Sequence, residues 1–96
     1  MRMFRRVGVR VDPAKAEGNL RKHGVAFEEA VTIFADPYEL MIYDPDHSIT
    51  EDRFVSIGMS ASGRLLVVGY TERGSKIRII FARRAAGPEM LDYEEV

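Results

Sequence analysis

The chain reads as an α+β domain: an N-terminal strand, two short helices, a four-stranded antiparallel meander and a short C-terminal helix. Three observations predict this. Apolar residues alternate with a period of two at both ends of the chain, at Val7, Val9 and Val11 and again at Ile77, Ile79 and Phe81. Between them a capped segment from Asp12 to Gly24 is followed by apolar residues at helical spacing. From Glu39 onwards, short apolar runs are separated by turn-forming residues.

Each element has a local cause. The valines at 7, 9 and 11 alternate with Gly8 and Arg10, as in a strand with one buried face. Asp12 suits the N-cap of the next helix, and Pro13 its first position, where a missing N–H costs nothing. This helix is expected over Pro13–His23, ending where Arg21, Lys22 and His23 meet Gly24, a residue that accepts positive φ. Phe27, Ala30, Val31 and Phe34 predict a second helix that stops near Asp36-Pro37, because a residue before proline is pushed out of the helical region. Glu39 to Tyr43, Arg53 to Gly58, Leu65 to Thr71 and Lys76 to Ala82 read as strands. The third is the most apolar and is expected at the centre of the sheet. In the fourth, Ile77, Ile79 and Phe81 are expected on one face, continued by Arg83, with Lys76 and Arg78 on the other. A helix from Pro88 to Glu95 closes a single domain covering 1–96.

Composition narrows the function. Hydrophobic content of 46% and charged content of 30% belong to an ordinary globular protein, not a disordered tail. With no cysteine, disulfides, thiolate metal sites and cysteine nucleophiles are excluded. The basic start Met1-Arg2-Met3-Phe4-Arg5-Arg6 is not followed by an apolar run long enough for a signal peptide or a membrane span, so the cytoplasm is the expected location. The net charge of −1 conceals segregation. Residues 1–23 hold seven Lys or Arg, residues 24–52 hold none and eight carboxylates, and residues 64–84 hold six more cations. If the basic blocks lie together in the fold, they form a surface for polyanions or acidic segments; the other reading is solvated charge paired across the fold.

Taken together, the motifs resemble the BrnT family of small type II toxins. The matching stretches are Asp12-Pro13-Ala14-Lys15, Asn19 to Ala30 with its Lys22-His23-Gly24-Val25, Glu51 to Gly58, Gly63 to Arg73, and Arg78 to Ala85. The resemblance implies a RelE-like fold and a ribonuclease that halts translation. It further implies neutralisation by a BrnA-like antitoxin with a ribbon–helix–helix part, through which alone the complex contacts operator DNA. The chain departs from the family pattern at Arg10-Val11, at Gly18, at Phe81, where a serine is frequent, and in its acidic C-terminal helix.

Metal-independent RNA cleavage needs a base for the 2′-hydroxyl, cations for the pentavalent phosphate and an acid for the leaving 5′-oxygen. The chain has two histidines, His23 and His47, so the choice of imidazole is narrow. Within the family frame, His47 and Glu51 are assigned to proton transfer, Arg53 and Arg83 to the phosphate, and Lys22 with His23 to positioning the substrate, as one wall of the same cleft. Each has a structural alternative: a helix-end imidazole on the last carbonyls for His23, a capped turn for His47, ion pairs for the arginines. His47 and Glu51 lack the helical spacing of zinc motifs, so no metal or other cofactor is expected. A second class of function fits the same residues: a non-catalytic module that sequesters an antitoxin-like partner, favoured by Phe81 and the acidic tail. DNA recognition by the helix pair is disfavoured, since Glu28 and Glu29 would face phosphate.

Overall fold

The computed structural model describes residues 8–43 and 51–95. In chain order the elements are β1 (Gly8–Arg10), α1 (Pro13–His23), α2 (Phe27–Val31) running into a 3₁₀ turn (Thr32–Ala35), β2 (Leu40–Tyr43), β3 (Arg53–Met59), β4 (Leu65–Arg73), β5 (Lys76–Arg84) and α3 (Gly87–Glu94). Strands β2 to β5 pair antiparallel in sequence order, and β1 joins β5 in parallel. The sheet is therefore mixed, with five strands in the order β1-β5-β4-β3-β2. No helix among the described residues is long and apolar enough to cross a membrane.

The start of α1 follows from its first residues. Asp12 accepts hydrogen bonds from the N–H groups of Ala14 (2.9 Å) and Lys15 (3.4 Å), satisfying donors that the first turn leaves without partners. Gly24, at φ 70°, ends the helix and returns its N–H to the Leu20 carbonyl at 2.9 Å. The second helix is shorter than its periodicity predicts. Helical geometry stops at Val31, and a 3₁₀ turn carries the chain to an extended Asp36. Thr32 is the local cause: its hydroxyl donates to the Glu29 carbonyl (2.6 Å) and accepts from the Ala61 N–H (2.8 Å), joining this turn to the β3–β4 connection.

The core lies between the helices and one face of the sheet. Val25, Phe27, Ala30, Ile33 and Phe34 pack on Leu66, Val68 and Tyr70 of β4 and on Ile77, Ile79 and Ala82 of β5. Tyr70 is fully buried, with Phe34 edge-on at 5.0 Å and Phe54 stacked at 5.7 Å. Its hydroxyl is 2.9 Å from that of Ser56, which donates to Glu39 at 2.5 Å, so the buried oxygens are satisfied in series.

A β-bulge corrects the expected arrangement of β5. Tyr70 pairs with Ile79 but Gly69 with Phe81, which leaves Ile80 as the extra residue and inverts the alternation beyond it. Ala82 thereby joins Ile77 and Ile79 in the core, while Phe81 and Arg83 turn to the opposite face. There the Phe81 ring occupies the space above Gly69, where an added Cβ would come within 2.1 Å of it. The inversion also serves α1. Strand β1 covers β5 only from Lys76 to Arg78, and further along the edge Asn19 takes over. Its amide donates to the carbonyls of Ala82 (2.7 Å) and Val25 (2.9 Å) and accepts from the Ala82 N–H (3.1 Å). Asn19 is 8% exposed, a buried polar residue whose amide is fully used by these bonds.

Two substitutions test this packing. Asn19→Ala leaves three backbone groups without their partner and lowers stability by roughly 2–4 kcal/mol, measured by urea denaturation. Gly69→Ala costs about 1–3 kcal/mol by overpacking, and that cost disappears when Phe81→Ala is also present, giving a coupling read by a double-mutant cycle.

Candidate functional site

The face of the sheet turned away from α1 and α2 carries a row of cations. Register sets Arg10 of β1 beside Arg78 of β5, Arg78 beside Thr71 of β4, and Thr71 beside Arg53 of β3. At about 4.8 Å between strands, this row spans roughly 14 Å. Lys76 and Arg73 pair two residues nearer the β4–β5 turn. Arg10, Asp12, Glu51, Thr71, Arg73, Lys76 and Arg78 line a cavity of about 340 Å³ at this end of the sheet.

Glu51 is the sequence-predicted residue that lies in this cavity. Its carboxylate accepts from Nη2 of Arg73 at 3.2 Å and from Nη2 of Arg78 at 3.4 Å. The two arginine side chains are 77% and 53% exposed, so these ion pairs contribute little to the stability of the fold. Arg53 heads the neighbouring strand in the same row and is half-buried. His47 lies outside the described residues.

Arg83 is placed differently. Its guanidinium grips Glu89 of α3 in a bidentate pair, Nη1 to Oε1 at 2.9 Å and Nη2 to Oε2 at 2.5 Å. Glu89 also accepts from the Ala86 N–H at 2.8 Å, so one carboxylate caps α3 and fastens it to β5. The Arg83 bonds hold the Glu89 carboxyl below its usual range against the opposing effect of burial, and the pair raises the guanidinium in turn. Phe81 stands between Arg83 and the Arg78 row. The far end of α3 is tied as well: the Tyr93 hydroxyl donates to Asp36 at 2.6 Å. Burial and the Asp36 carboxylate push Tyr93 up to about 12. Burial acts to raise Asp36, but bonds from the Met59 N–H, the Tyr93 hydroxyl and the Tyr38 N–H outweigh it and hold this carboxyl low.

Lys22 and His23 do not form a wall of the Glu51 cavity. Asp12, at the start of α1, lines that cavity, and eleven helical residues carry the chain about 16 Å away before His23. The surroundings of the junction are structural. Arg64 donates to the Gly24 carbonyl at 3.2 Å and clasps Glu29 with Nε at 3.0 Å and Nη2 closer still. Ser60 and Ser62 donate to the same carboxylate at 2.7 and 2.5 Å. The Arg64 bond is the main cause that lowers Glu29 to about 2; burial opposes it, and the two serine hydroxyls assist.

The sequence alone singles out none of Arg10, Asp12, Thr71, Arg73, Lys76 and Arg78 as residues that line this cavity. The alternation of Lys76 and Arg78 with Ile77 and Ile79 was the available signal, since it puts both cations on the face away from the core. Among the described residues, no three His, Asp or Glu side chains gather as a metal site.

With this geometry in place, similarity to known proteins becomes informative. The sequence pattern of the family described as "Ribonuclease toxin, BrnT, of type II toxin-antitoxin system" matches residues 12–89. The fold is similar to that in the crystal structure of the Brucella abortus ribonuclease toxin BrnT, with a TM-score of 0.58 and 20% identity, over 85% of this chain and 100% of that one. No curated protein matches the chain.

The depressed Glu29 carboxyl makes stability depend on pH. Its contribution is complete above the ordinary value of 4.5 and is lost as pH falls from there towards about 2. The melting temperature is therefore expected to drop between about pH 5 and about pH 2, and Glu29→Gln to lower it at pH 6 while flattening the drop.

Proposed function

This chain belongs to the BrnT family of ribonuclease toxins of type II toxin–antitoxin systems, and we propose that it is an endoribonuclease that arrests translation by cutting RNA in the cavity around Glu51. One observation carries the placement: four cations, Arg10, Arg73, Lys76 and Arg78, gather around the carboxylates of Glu51 and Asp12 on an open sheet face, and Arg53 stands in the same row as Arg10 and Arg78. Such a face attracts the phosphate backbone, and the exposed cations on Glu51 are free to transfer to it.

The chemistry follows from the groups present. Glu51 takes the proton of the 2′-hydroxyl, and the freed oxygen attacks the adjacent phosphorus. Arg73, Arg78 and Arg53 stabilise the charge that builds on the pentavalent phosphate, the arginines through paired N–H donors and Lys76 as a point charge. The bond to the 5′-oxygen breaks, and His47, four residues ahead of Glu51 in the chain, returns a proton to it. The products are a 2′,3′-cyclic phosphate and a 5′-hydroxyl, with no metal required. Lys22 and His23 contact a more distant part of the substrate. Arg83, fastened to Glu89, holds α3 and is left out of the catalytic set. In this reading the toxin acts in the cytoplasm and is neutralised by a BrnA-like ribbon–helix–helix antitoxin, which alone contacts operator DNA.

Expression without the neighbouring gene's product tests the proposal. Growth arrest is expected, with RNA cleavage by the purified protein that persists in EDTA and leaves cyclic phosphate ends. Glu51→Gln, Arg53→Ala and Arg78→Ala each reduce cleavage about a hundredfold or more, with melting temperatures close to the parent. Arg83→Ala lowers stability more than it lowers the activity of the protein that remains folded. Intact RNA and growing cells, together with tight binding of the neighbouring gene's product, would instead favour the sequestering module. Cleavage abolished by EDTA would overturn the metal-independent mechanism.

A further inference from the structure

Strand β2 ends the sheet on the side away from β1, and among the described residues no strand pairs with its outer edge. Natural sheets blunt such edges with charge, proline or a bulge. This one has none of these: Leu40-Met41-Ile42-Tyr43 is uncharged and pairs with β3 in unbroken register. Met41 and Ile42, on opposite faces, are each 45% exposed, Tyr43 is 48% exposed, and Tyr38 just before the strand is 65% exposed. An apolar edge with open backbone on one side is a template for another strand.

Charge decides which strand fits. From Gly24 to Asp52 the chain has eight carboxylates and no Lys or Arg. Asp36 and Glu39 precede β2, and Asp52 accepts from the Tyr43 hydroxyl at 3.4 Å beside its far end. A second copy paired edge to edge, parallel or antiparallel, sets acidic flank against acidic flank. A basic segment meets opposite charge at both ends.

We infer that the β2 edge receives an extended segment of the partner protein, apolar at alternate positions and flanked by Lys or Arg, as a sixth strand of the sheet. The guest's main chain supplies the ladder hydrogen bonds. Its apolar side chains lie beside Met41 and Tyr43 on one face and Ile42 on the other, and its basic flanks lie in the negative field of the acidic stretches before and after β2. The assignment rests on the family's having an antitoxin partner, and is independent of where RNA is cut.

Two synthetic peptides of alternating valine and threonine, one ended by lysine pairs and the other by glutamate pairs, test it by titration into the full-length protein followed by amide NMR. The lysine-ended peptide is expected to shift Leu40 to Tyr43, and the glutamate-ended one to bind at least tenfold more weakly. Ile42→Lys abolishes the binding and Ile42→Thr retains it, while both variants melt like the parent. Failure of both peptides to bind, equal binding by the two, or insensitivity to Ile42→Lys would overturn the inference. A concentration-dependent dimer lost in Ile42→Lys would also overturn it, assigning the edge to a second copy. RNA cleavage assayed on the same samples reports on the ribonuclease reading separately, so the two can fail independently.

Discussion

The amide of Asn19 is the contact on which the layered arrangement depends. It joins three parts of the chain that are distant in sequence or direction: the body of α1, the link into α2 at Val25, and the edge of β5 at Ala82, beyond the reach of β1. A backbone strand would have done the same work for β5, but β1 stops after three residues, and a side chain finishes the ladder in its place. The arrangement requires Ala82 to face the helices, and the bulge at Ile80 is what turns it there. One extra residue in β5 and one buried amide in α1 are thus parts of a single solution. Neither makes sense alone.

The charged groups divide into two kinds by exposure. Glu29 with Arg64, and Glu89 with Arg83, are partly buried, multiply hydrogen-bonded pairs that fasten α2 to the β3–β4 connection and α3 to β5. Glu51 with Arg73 and Arg78 is longer, looser and faces solvent. Ion pairs of the first kind fix geometry. Those of the second kind leave Arg73 and Arg78 largely exposed, whereas Arg83 belongs to the scaffold.

Local features were legible in the sequence because their causes are local. Asp12, Pro13 and Gly24 set both ends of α1, and the periodicity of two placed the strands of the meander. The misses share a different character. A count of alternating residues runs straight through Ile80 and puts Phe81 and Arg83 on the wrong face, since a bulge leaves no mark in hydrophobic pattern. Asn19 looks like surface from its neighbours Lys15 and Lys22, because its partners Ala82 and Val25 are known only once the layers meet. Lys22 and His23 lie a helix length away from the Glu51 cavity, a separation that sequence order does not show. The cavity itself depends on register between β1 and β5, which no stretch of either strand specifies by itself.

That last dependence has a consequence for the time at which the cation cluster is assembled. Gly8 to Arg10 pair with Lys76 to Arg78, so the cation cluster is assembled from the first and last quarters of the chain. Contacts of such sequence separation form late in folding, after the nearer hairpins have condensed. During synthesis, a nascent chain that has not yet released β5 from the ribosome holds Arg10 and Asp12 without Arg73, Lys76 or Arg78 beside them. A member of a ribonuclease toxin family thus completes this cation cluster only when its own synthesis is almost finished.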